Sequence, residues 1–105
     1  MRMLLTAVVD TEAGNEAARQ GTLMDITNQM IETLKPEAAY FAPQDGQRCC
    51  LMVFDLEDPS QIPVIVEPMF LGAKAKITLT PCMNLEELQR GLSKMNTGES
   101  GPGGE

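Results

Sequence analysis

The chain of 105 residues contains no histidine, no tryptophan and only four aromatic residues. Histidine is the commonest general base near neutral pH and the commonest metal and haem ligand, so its absence disfavours both kinds of site. Few aromatics leave little surface on which nucleic acid bases could stack. The eight basic residues are scattered singly among 15 acidic ones, giving a net charge of −7. We therefore expect no nucleic acid partner, no metal and no other cofactor.

Long apolar runs and a disulfide framework are also missing. No apolar segment approaches the roughly 20 residues that a membrane-spanning helix requires, so we expect no membrane partner. The three cysteines, of which Cys49 and Cys50 are adjacent, have neither the pattern of a secreted framework nor C-x-x-C spacing. The short apolar run at the N-terminus has one basic residue and no credible cleavage site of a signal peptide. These features predict a soluble, cytoplasmic protein with reduced thiols.

One strand organises the predicted fold. Almost every position from 48 to 56 is apolar, which is typical of a strand covered on both faces, because a strand with one wet face alternates. Directly after it, Asp58 can cap a helix, Pro59 suits the first helical position, and Gln61 completes a capping box. We predict a buried strand followed by a helix that begins near Pro59.

Three further strands are expected at residues 3–9, 38–42 and 75–80, where apolar residues are dense or alternate with polar ones. Asp45 and Gly46 form a turn of the kind that favours hairpins. The second and third strands should therefore be antiparallel neighbours.

Helical spacing fills the regions between these strands. The first helix follows Asp10 and is expected to kink or restart at Gly21. The second should be kinked or shortened by Pro68 and end at Gly72, and Asn84 should cap a third. Residues 1–96 then form one domain, and residues 97–105 are expected to be a flexible tail rich in Gly and Pro.

The order strand, helix, strand, strand, helix, strand predicts an α+β, ferredoxin-like fold: a four-stranded antiparallel sheet with two helices on one face and an extra C-terminal helix. The third strand is apolar on both sides, so a monomer would expose an unusually large apolar patch. A second copy is the simplest cover, because self-association of one patch gives the commonest closed symmetry. We expect a homodimer that pairs through the sheet face.

This pattern resembles the dimeric α/β-barrel superfamily, which includes cofactor-independent monooxygenases, muconolactone isomerases and haem-degrading enzymes. The segments LKPEAAYFAPQDGQR, DPSQIP with EPMF, and PCMNLEEL are similar to small bacterial proteins within that group. The resemblance covers most of residues 2–95. It implies the fold and the dimer but brings no activity, since no catalytic motif of the enzymatic members is present to carry over.

Five residues are candidates for lining a ligand pocket in the predicted cleft between sheet and helices: Tyr40, Arg48, Glu67, Met52 and Phe54. Each has a plain alternative. A strand tyrosine usually packs its ring, a strand-end arginine usually forms a surface ion pair, and a glutamate at a helix edge is usually solvated. Met52 and Phe54 can simply be packed core residues.

Three hypotheses about function follow. The first is a homodimer that binds a small apolar ligand in the cleft between sheet and helices. The second is a cofactor-independent monooxygenase or isomerase of an aromatic or polyketide-like substrate, in which Tyr40 or Glu67 would assist proton transfer. The third is a structural or partner-binding dimer. A cavity of a few hundred Å³ containing one of the polar candidates would favour the first two.

Overall fold

The computed structural model describes residues 1–97, so the expected tail, apart from Thr97, lies outside the described residues. Four strands and four helices follow one another, with a 3-10 turn at Pro59–Gln61 leading into the third helix. The elements are β1 (Arg2–Val8), α1 (Thr11–Gln20), α2 (Thr22–Leu34), β2 (Ala38–Gln44), β3 (Gln47–Asp55), α3 (Ile62–Ala73), β4 (Lys76–Pro81) and α4 (Leu85–Thr97).

The helix starts lie where the sequence predicts them. Asp10 caps α1 by accepting a hydrogen bond from the Ala13 backbone N–H at 2.9 Å. Gly21 adopts a left-handed conformation with φ of 80°, which ends α1 and restarts the chain as α2. Asp58 and Gln61 form the expected reciprocal capping box.

The end of α3 differs from the prediction. The helix continues through Pro68 to Ala73, and Lys74 rather than Gly72 adopts the left-handed cap. Pro68 is tolerated because the carbonyl that it leaves without a donor belongs to Val64, an exposed residue that water can reach. Gly72 serves packing instead, since a Cβ atom there would lie 2.5 Å from Ile26 Cδ1 of α2.

The predicted α+β class and the four-stranded antiparallel sheet are confirmed. The strand order is β2-β3-β1-β4, and every neighbouring pair is antiparallel. The expected hairpin between β2 and β3 turns at Asp45 and Gly46, both of which have positive φ. The sheet's two central strands are therefore β3 and β1.

One sheet face carries α1, α2 and α3 and contains the core. Leu5 pairs with Met52, and Met3 pairs with Phe54, so these four side chains point to the same side. All four are almost fully buried. Residues from α2 and α3 complete this cluster, chiefly Met30, Leu34, Ile65, Val66 and Met69.

The opposite sheet face has no helix layer among residues 1–97, and we call it the open face. It carries the alternate residues of the same strands, chiefly Leu4, Thr6, Val8, Tyr40, Cys49, Leu51 and Val53. Most of these apolar side chains are partly exposed, whereas Cys49 is buried. The third strand is thus apolar on both sides, as the sequence predicts.

Helix α4 follows β4 and packs little against the rest of the described chain. Its first turn is fixed by a reciprocal capping box between Asn84 and Glu87, and by Arg2, which bridges Glu87 and Glu37. The hydrogen bond from the Asn84 N–H, helped by the nearby arginines, lowers the pKa of Glu87. The apolar stripe of α4 is left exposed along its length: Leu85, Leu88, Leu92 and Met95.

Candidate functional site

A cavity of about 620 Å³ opens between α1, α2 and the end of the sheet where the β2–β3 hairpin turns. We call it the main cavity. Its wall is mostly apolar, with Val9, Leu23, Phe41, Pro43 and Cys50 among the lining residues. A few polar groups interrupt this surface: Thr11, Asn15, Thr27, Gln47 and Arg48. A concave, mainly apolar space with few polar groups is typical of a small-molecule site.

Arg48 is held in this cavity by α1. Its Nη1 donates a hydrogen bond to Asn15 Oδ1 at 3.0 Å. Gly14 allows the close approach, because a Cβ atom at that position would lie 2.9 Å from Arg48 Nη1 and 2.8 Å from Val9 Cγ1. The Asn15 amide therefore holds the guanidinium group, and the absence of a side chain at Gly14 leaves room for that group beside α1.

The other polar candidates lie elsewhere. Tyr40 is 69% exposed on the open face, because it pairs with Leu51 and shares the direction of that side chain. Glu67 is exposed on α3 and does not line the main cavity. The structure therefore brings Arg48 alone, of the three, into the cavity between sheet and helices.

Met52 and Phe54 lie in the core and do not line the main cavity. Met52 has no exposed surface and Phe54 is 2% exposed. Both point to the helix-covered face, as a ligand site in the cleft would require, and both belong to the core cluster with side chains of α2 and α3. Phe54 also lines a separate small cavity of about 90 Å³ between the sheet, α2 and α3.

Cys50 is the thiol on the helix-covered face at the main cavity. Burial, followed by the neighbouring Cys49, raises the pKa of the Cys50 thiol to about 11. At neutral pH this group is therefore a protonated, weakly polar part of the wall, whereas thiol nucleophiles and metal ligands act as thiolates. Among the described residues, no three His, Cys, Asp or Glu side chains come together as a metal site would require.

A second cavity of about 340 Å³ adjoins the main one. The two share Leu23, Thr27 and Phe41 in their walls, and the second continues along the α1–α2 junction to Met24. It contains no charged residue. We call the two adjoining cavities together the groove; Arg48 lines the main cavity and is the one cationic residue among those that line either cavity.

Sequence reasoning missed the residues from α1 and β2 that form this groove. Neither Asn15 nor Phe41 belongs to a recognisable sequence motif. Asn15 accepts a hydrogen bond from Arg48, which lies 33 residues away in the sequence. One local signal was present: Gly14 interrupts an otherwise Ala-rich helix, which often marks a close approach of another group. Its partner could not be read from the spacing.

Comparison with sequence models of protein families gives no match, and comparison with curated proteins gives no significant match. The resemblance to dimeric α/β barrels therefore stays a prediction. No helix within residues 1–97 is long and apolar enough to cross a membrane.

Proposed function

We propose that the protein is a ferredoxin-like homodimer, paired as in dimeric α/β barrels, that binds a small apolar ligand between the sheet and α1–α2. The observation that supports ligand binding is the main cavity of about 620 Å³ with its mostly apolar wall. A cavity of this size falls in the range of small-molecule sites. The presence of Arg48 in its wall favours a ligand site over a purely structural dimer.

The strand order β2-β3-β1-β4 supports the ferredoxin-like part of this proposal, since the two parallel strands of each βαβ half have one strand of the other half between them. The three cysteines are all free. Free thiols suit a reducing compartment, so we place the protein in the cytoplasm.

The open face supports pairing with a second copy. Leu4, Val8, Leu51 and Val53 form a contiguous apolar surface across the two central strands, and an uncovered patch of this kind is typical of an interface. The exposed stripe of α4 adds apolar surface that the rest of the described chain does not bury. A second copy would offer both surfaces at once, and a two-fold axis would bury them reciprocally.

The charge distribution also favours a second copy. A chain with a net charge of −7 repels its own copies over most of its surface. The open face avoids this repulsion, because in the register of the strands its interior positions carry no aspartate or glutamate, and Asp55 lies only at its end. Contact through this face therefore brings no like charges together at its centre.

Binding ranks ahead of catalysis. Tyr40 and Glu67, which would assist proton transfer in an oxygenase or isomerase, lie outside the main cavity, and no carboxylate of residues 1–97 lines it. The Cys50 thiol, with its pKa raised to about 11, is a poor nucleophile at neutral pH. A monooxygenase or isomerase remains the alternative for this fold.

Filling the groove tests the proposal. Thr27 lies on α2 in the walls of both cavities, so Thr27→Phe should occupy the space of the ligand. The probe is 1-decanol. At a decanol concentration of about 100 times its Kd, the free energy of unfolding of the native protein should rise by about 2.7 kcal/mol, which raises Tm by on the order of 10 °C. Thr27→Phe should lose most of this rise.

Asn28→Phe is the matched control, because Asn28 is the next residue of α2, is exposed and lines neither cavity. It should keep the full rise in Tm. Amide chemical shifts should change at Leu23 and Phe41 when decanol is added. No change in Tm or in those shifts for the native protein, either with decanol or with decanoate in its place, would remove the ligand-binding proposal.

A further inference from the structure

Arg48 differs from the other three arginines in having no carboxylate partner among residues 1–97. Within the described residues, Arg2, Arg19 and Arg90 each lie within 4.0 Å of a glutamate, whereas Arg48 bonds only to the neutral Asn15 amide. No acidic residue within positions 1–97 lines the main cavity. Four of the five N–H donors of this guanidinium group therefore have no acceptor in that part of the chain.

We propose that the ligand is an apolar monocarboxylic acid whose carboxylate binds the Arg48 guanidinium group and whose apolar body lies along the groove past Leu23 and Phe41. This assignment rests on the proposed ligand-binding function and specifies the class of ligand. A guanidinium group matches a carboxylate in a planar, two-bond arrangement. Asn15 holds Nη1 from the α1 side, so the remaining donors are free for that arrangement.

The charge of the site selects a single carboxylate. Arg48 is the one cationic side chain among the residues that line the main cavity, and the adjoining cavity has none. A phosphate or a dicarboxylate carries a second negative charge, for which the residues that line the two cavities offer no second cationic side chain. One carboxylate meets one guanidinium group, and the rest of the ligand meets apolar surface.

The position of the second cavity favours an elongated body. This cavity shares Leu23, Thr27 and Phe41 with the main cavity and has Met24 in its own wall. Phe41 and Met24 are large apolar side chains that are more than half exposed, so a bound chain would cover both. A straight aliphatic acid can occupy both cavities, whereas a compact aromatic acid occupies only the space next to Arg48.

The test compares three probes of defined chemistry. Decanoate, 1-decanol and benzoate are titrated into the full chain at pH 7, with Kd measured by calorimetry and by the shift of the Arg48 Nε–H resonance. Decanoate should bind at least about tenfold more tightly than decanol, because a hydrogen bond to a charged group contributes this much. It should also bind more tightly than benzoate.

Two variants assign the effect to Arg48. Arg48→Gln should lose about tenfold in decanoate affinity and leave decanol affinity unchanged. Arg19→Gln removes the same charge from α1, where Arg19 is exposed and lines neither cavity, and should leave both affinities unchanged. Asn15→Asp keeps the cation but gives it an internal carboxylate, so it should also weaken decanoate selectively.

The outcomes are distinguishable. Equal binding of decanoate and decanol, with no effect of Arg48→Gln, would overturn the carboxylate assignment while leaving the apolar ligand site in place. If benzoate binds as tightly as decanoate, the carboxylate part of the proposal stands and the proposed elongated shape of the ligand is wrong. Binding of none of the three probes would remove both this assignment and the proposed function.

Discussion

The Leu51→Glu variant is expected to have the mass of a single chain, 11.4 kDa, under conditions in which the native protein is a dimer. Leu51 lies at the centre of the open face, between Thr6 of β1 and Tyr40 of β2. In a two-fold contact the substitution brings two carboxylates into an apolar interface without partners, and buried unpaired charges are strongly unfavourable. Light scattering during gel filtration at micromolar concentration measures the mass.

Leu71→Glu is the control for that variant. It makes the same chemical change on α3, at a side chain that is 82% exposed on the helix side of the molecule. It should remain a dimer, and far-ultraviolet circular dichroism should show that both variants are folded. If Leu51→Glu keeps the dimeric mass, the open face is not the interface.

Phe54→Ala is expected to lower the free energy of unfolding by about 3–5 kcal/mol, a large part of the stability of a domain of this size. The Phe54 side chain is 2% exposed among apolar neighbours, so truncation leaves a cavity in addition to losing buried surface. Urea unfolding at one fixed protein concentration measures the change, because the stability of a dimer depends on concentration.

Phe70→Ala provides the comparison. Phe70 is 43% exposed on α3, so the same truncation there should cost less than about 1 kcal/mol. A loss of under 1 kcal/mol for Phe54→Ala would contradict the assignment of Phe54 to the packed core.

Local signals were sufficient for most of the fold. The capping box at Asp58 and Gln61, the hairpin turn at Asp45 and Gly46, and the restart at Gly21 each depend on residues within one turn of one another. Such signals act through backbone groups that the sequence places next to the side chain. Strand β3 was predictable because an unbroken apolar run has few other structures available.

The candidate site was less predictable because its geometry depends on distant residues. Tyr40 and Phe41 are adjacent aromatics in β2, and the pairing of Tyr40 with Leu51 decides which of them faces the helices. Gly72 has the residue type of a helix end, but its contact with Ile26 of α2 gives it a packing role. Arg48 was named from the sequence, whereas Asn15, which holds it, became visible only in the fold.

The mass of the native protein in solution tests most directly whether a second copy covers the open face. Sedimentation equilibrium over a range of micromolar concentrations should give twice the chain mass of 11.4 kDa. A mass of 11.4 kDa at every concentration would contradict the dimer and would leave the apolar face of β1 and β3 open to water.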